Sequence, residues 1–137
     1  MKYTLSATIS AMIISMIGNT IYFTATHEYH AFEMTKSEPI MGMMILNHVV
    51  YAAMMTYLIS RFVSKDDDVI KTGMWLGACL GVVMFVPSGL IVRSAWEVPI
   101  TYFFALDIIF EILLSGLMGI TVGWLYKKFN HPAINAI

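Results

Sequence analysis

The stretch ITYFFALDIIFEILLSGLMGITVGWLY, Ile100 to Tyr126, is apolar over a bilayer's width yet carries two carboxylates, Asp107 and Glu111, one helical turn apart. An Asp at the centre of a membrane helix costs about 2.5–3.5 kcal/mol on insertion scales, so such groups face protein, water or a ligand rather than lipid. That one segment sets the terms for the rest. The chain is 58% hydrophobic and only 12% charged, with a mean hydropathy of +0.74, and this places it among integral membrane proteins. Three further apolar runs match the ~20 residues that a helix needs to cross a ~30 Å hydrocarbon core. The expected architecture is all-α: a polytopic bundle of four transmembrane helices at about 4–26, 40–60, 72–93 and 100–126, forming a single domain over 1–137.

Basic residues orient it. Lys2, Arg61, Lys65, Lys71, Lys127 and Lys128 fall on one side of these spans, and Lys36 and Arg93 on the other. The positive-inside rule then puts both termini in the cytoplasm, in a membrane read as the prokaryotic inner membrane. Tyr3, Trp96, Trp124 and Tyr126 lie where interfacial aromatic belts are expected. The first span follows Lys2 as a signal peptide would, but it outruns the usual apolar core of one and reads as a retained helix. Cys79 is the single cysteine, which excludes an internal disulfide framework. The formal net charge of -1 and the lack of a basic cluster argue against nucleic acid as a partner. Asp66-Asp67-Asp68 reads as a solvated charge run, not a cation-binding loop.

The second and fourth spans share a pattern at an offset of 60 residues: Pro39-Ile40 matches Pro99-Ile100, and Leu46 to Tyr51 matches Leu106 to Glu111. This suggests a two-fold repeat of helix hairpins, of the parallel kind found in some transporters. Both spans enter from the outer face, so at 1.5 Å per residue Asn47, His48 and Asp107 fall roughly 12–13 Å below it. Glu111 is a turn deeper. Asn19, counted back from Thr26, lies at roughly 10 Å. Polar side chains from three helices thus share the outer half of the bundle. The small residues gather elsewhere. Gly73, Gly77 and Gly81 repeat at a spacing of four on the third span, and Ser115, Gly119 and Gly123 do so on the fourth. Rows of this kind let helix backbones approach closely in lipid. Pro87 removes a backbone hydrogen bond and is expected to bend the third helix outward.

Two acids at i, i+4 share one helix face. The expected site is an outward-facing pocket of Asn19, Asn47, His48, Asp107 and Glu111 that holds a proton, a cation or a small polar solute. Asp107 contacts the ligand there, and Glu111 exchanges the proton. A second constellation, His27, His30 and Glu33, has donor types suited to a transition metal, although its spacing is not that of the HExxH zinc motif. Haem ligation by His48 is a further option. No catalytic constellation is evident, so the reading leans away from an enzyme. In size and four-helix plan the chain is similar to small multidrug transporters, whose essential carboxylate is on the first helix. Here that helix has no carboxylate before Glu28, and architecture alone does not license a function. The leading expectation is a small membrane binding or transport protein, whose four short helices leave little room for alternating access within one protomer and which is hence expected to be a homo-oligomer. The alternatives are an accessory subunit of a larger membrane complex and a membrane metalloprotein.

Overall fold

A computed structural model of the chain describes residues 2–30, 41–63, 68–96 and 102–130. Four α-helices account for nearly all of them: α1 (Lys2–His30), α2 (Met41–Phe62), α3 (Val69–Trp96) and α4 (Tyr102–Asn130). No strand occurs among the described residues. Each helix contains a segment long and apolar enough to cross a membrane: Lys2–Thr26, Gly42–Phe62, Val69–Ile91 and Phe104–Phe129, with mean hydropathies of 1.4, 1.4, 1.9 and 1.9. Helices suit such segments because they satisfy every interior peptide group within the segment itself.

The helices outrun their apolar stretches. α1 and α4 each have 29 residues, about 43 Å at 1.5 Å per residue, against a core of ~30 Å. Helical hydrogen bonding continues into flanks such as Lys127 and Lys128, whereas a hydropathy reading stops where the charges begin. α3 starts at Val69, earlier than its apolar run, because Asp68 caps it. The Asp68 carboxylate accepts the Lys71 N–H at 3.4 Å and its carbonyl accepts the Thr72 N–H at 2.8 Å. Asp66 and Asp67 lie outside the described residues, as do Glu33, Lys36, Pro39, Lys65, Pro99 and His131.

Contacts between helices fix their relative directions. Tyr3 meets Tyr126 edge to face at 5.3 Å, while Tyr22 reaches Asp107, so α1 and α4 are antiparallel. Thr8 pairs with Thr56 and Ser15 with His48, which makes α1 and α2 antiparallel as well. α3 and α4 pack most intimately. A Cβ on Gly77 would run into the Ser115 carbonyl and lie 3.1 Å from the Gly119 Cα. One on Gly119 would strike the Gly73 carbonyl, and one on Gly123 would lie 2.6 Å from the Val69 carbonyl oxygen. Backbone therefore lies directly on backbone along this seam, as small residues allow. Pro87 sits inside α3 on its exposed side.

Burial is confined to one end of the bundle. On α1 the buried residues are Ala7, Ala11 and Ser15, and on α2 they begin at Tyr51 and end at Val63. On α3 they run from Val69 to Gly81, and on α4 from Leu114 to Leu125, with Phe104 the exception. Met55, Ile59, Met118 and Val122 form the centre of this closed end. At the other, open end α3 and α4 still touch where Gly89 leaves room for the Phe104 ring. α2 presents Gly42 through Asn47 as exposed.

Candidate functional site

The polar interior begins where the closed end stops. Ser15 Oγ and His48 Nδ1 are 2.8 Å apart between α1 and α2, the donor being set by the His48 tautomer. A turn farther along α1 is Asn19, whose Oδ1 is buried and has no hydrogen-bond partner among the described residues. Three residues on, the Tyr22 hydroxyl donates to Asp107 Oδ1 at 2.7 Å. The Tyr22 ring is held for that bond by Phe110, stacked at 4.1 Å with 9° between planes, and by Phe23 edge-on at 5.7 Å. The helical period makes this line: Ser15, Asn19 and Tyr22 are four and three residues apart and so share one face of α1.

On α4, Glu111 lies one turn closer to the closed end than Asp107. It is half-buried, and its carboxyl makes no hydrogen bond among the described residues. Below it, Ser115 donates its hydroxyl proton to the Glu111 carbonyl at 2.5 Å. A hydroxyl has one proton to give, so the Tyr51 hydroxyl, 2.6 Å from Ser115 Oγ, is the donor in that buried pair. Phe85 on α3 braces the Tyr51 ring edge-on at 5.5 Å. Tyr51 thereby joins α2 to α4 directly beneath the carboxylates.

No described cation side chain stands near them. Lys2, Arg61, Lys71, Lys127 and Lys128 are all exposed at the rim of the closed end, and Lys128 lies 5.0 Å over the Trp124 ring. Among the described residues, no group of three or more His, Cys, Asp and Glu side chains could hold a metal ion. His27 and His30 belong to the last turns of α1, but their side chains lie outside the described residues, as does Glu33.

Of the residues expected from the sequence, Asn19, His48, Asp107 and Glu111 are partly buried on α1, α2 and α4, while Asn47 is on the exposed surface of α2. Sequence reasoning missed Ser15, Tyr22 and Tyr51 as partners. A signal was available: Thr8, Ser15, Asn19 and Tyr22 follow one another at seven, four and three residues, a polar stripe in an apolar helix. Comparison with protein-family models, curated proteins and solved structures finds no match for this chain.

Proposed function

We propose that this is a small membrane binding protein, of a kind suited to transport, that holds a proton or a cation at the Asp107–Glu111 pair. The supporting observation is the unequal provision for the two carboxyls. Asp107 receives the Tyr22 hydroxyl, whereas Glu111 receives no hydrogen bond among the described residues. A carboxylate removed from water needs a donor or a counter-charge, and a bound proton or cation supplies one. The unpartnered Asn19 Oδ1 adds an acceptor of the same hard-oxygen type.

In this reading the closed end, rimmed by basic residues, faces the cytoplasm of a prokaryotic cell. The open end faces outward and admits the ligand past Tyr22 and Asp107, with the Ser15–His48 pair at the inner end of the polar line. The 60-residue offset between α2 and α4 is then a duplicated hairpin in which only the second copy acquired acids. Oligomerisation compensates for the small protomer.

Infrared difference spectroscopy on the wild type, Asp107→Asn and Glu111→Gln tests the assignment. The expected result is a carboxyl band that disappears in Glu111→Gln and changes with pH or on adding sodium or potassium chloride. Carboxyl bands that stay silent to pH and to both cations would overturn it and leave the acids as packing groups.

A further inference from the structure

Asn47 stands out on the outer surface of the molecule. It is exposed, and its side chain makes no hydrogen bond among the described residues. Counted from Gly42, where the apolar span of α2 begins, it lies roughly 7–8 Å along the span. An amide facing hydrocarbon there loses the hydrogen bonds that water would give it. Its neighbour His48 turns the other way, toward Ser15, so Asn47 has no route to the interior line.

The residues around it form a pattern. Met43, Asn47, Val50, Met54, Tyr57 and Arg61 follow one another at alternating steps of four and three, and all six are exposed. Met43 is 64% exposed, Val50 51%, Met54 37% and Tyr57 64%. This is the a/d repeat of a left-handed helix pair, and a lone Asn at such a position sets register and partner number. Arg61 closes the stripe at the membrane boundary, where a long side chain can bend its charge into water. The exposed face of α1 makes the contrast. Leu5, Ile9, Ile13, Ile17 and Ile21 recur at a constant four, which drifts around the helix, and they carry no polar group. Lipid satisfies that face completely.

We propose that α2 pairs with α2 of a second copy of this chain along this stripe, with Asn47 hydrogen-bonded to the partner's Asn47. The occupant is a second copy because an amide is both donor and acceptor and so complements itself. A membrane also inserts every copy in the same orientation, and a two-fold axis along its normal brings the two amides together. The pairing also supplies what the protomer lacks. From Gly42 to Val50 no residue of α2 is buried within one chain, so the second copy backs the stretch of helix that carries His48.

The full-length chain in lipid bilayers, in a Cys79→Ala background, provides the test. Single cysteines at Val50 and, on the α1 face, Ile13 are oxidised in parallel. Separately, energy transfer between labelled copies is followed on dilution with lipid for the wild type, Asn47→Leu and Asn47→Gln. The expected result is disulfide-linked dimer from Val50→Cys and none from Ile13→Cys. Dimerisation should weaken on the order of ten-fold in Asn47→Leu and be largely retained in Asn47→Gln. A monomer at every dilution, equal cross-linking on both faces, or an Asn47→Leu variant that pairs like the wild type would overturn the proposal. Should Asn47→Leu fail to insert, the cysteine pair still decides, because both variants keep Asn47.

Discussion

The two ends of the bundle are held together by different means. At the closed end α3 and α4 lie backbone on backbone, and Met55, Met118 and Val122 fill what space remains. At the open end the helices meet mainly through side chains that reach across: Tyr22 to Asp107, Ser15 to His48 and Phe104 into the gap at Gly89. The difference shows how a membrane protein obtains rigidity. Lipid is as apolar as leucine, so burying another leucine contributes little, whereas removing side chains to let backbones touch contributes close packing over a long seam. The two carboxylates lie on the open-end side of that packing, while the polar groups buried within the closed end, Ser115 and Thr56, are hydrogen-bonded to Tyr51 and Thr8.

Gly77→Val should break the comparison most severely. Its Cβ would meet the Ser115 carbonyl and the Gly119 Cα, neither of which can step aside without parting the helices. Unfolding in mixed micelles should show a loss of about 2–3 kcal/mol or more. Gly42→Ala, with nothing within 4 Å of the new Cβ, should lose nothing. Equal stability of the two variants would mean that the seam does not hold the closed end. A second contrast is milder. Met118→Ala, at a fully buried site, should lose about 2 kcal/mol, near the low end for such truncations because lipid rather than water is the alternative surrounding. Leu46→Ala, 55% exposed on α2, should stay within about 0.5 kcal/mol of the wild type in the same assay.

The smallest effects sharpen the boundary between the ends. Tyr51→Phe and Tyr22→Phe each remove one hydrogen bond between helices, a loss of about 0.6 kcal/mol on average in a membrane bundle. Their spectroscopic consequences should differ. Tyr22→Phe should shift the carboxyl-group stretch of Asp107, which loses the Tyr22 hydroxyl, while Tyr51→Phe should leave that stretch in place. A shift of equal size in both would show that the two networks act as one.

Much of the fold was legible in the residues because membrane thickness imposes a length on every span. The glycine rows were legible for a related reason, since a side chain missing every fourth residue has one main use in lipid. The site was harder. In a soluble helix the buried face declares itself by its apolar stripe. In α1 the interior and the lipid are both apolar, so Ile13, which faces out, and Ala11, which faces in, look alike to a hydropathy reading. Polar residues were the remaining markers, and they pointed unevenly. Asp107 and Glu111 announced themselves by cost. Asn47 and His48 are adjacent and were read as a pair, but neighbours on a helix are 100° apart, and here one faces outward and the other inward. Tyr22 leaves a weaker signal because tyrosine in a membrane helix is expected at the interface, as Tyr3 is, and a carboxylate partner on another helix, 85 residues away in the chain, leaves no local trace.

The Ser115 hydroxyl has one further consequence. It takes a proton from Tyr51 in hydrogen bonding and directs its own at a peptide carbonyl. A carbonyl accepts but has nothing to hand on, so this chain of hydroxyls is a terminus rather than a wire. Beneath it Met55, Met118 and Val122 offer no exchangeable hydrogen, and the Thr8–Thr56 hydroxyl pair has no hydrogen bond to Ser115 or Tyr51 among the described residues. Among the described residues the hydrogen-bonded line therefore stops at the closed end, and a proton held at Glu111 would leave toward the open end unless the helices themselves moved.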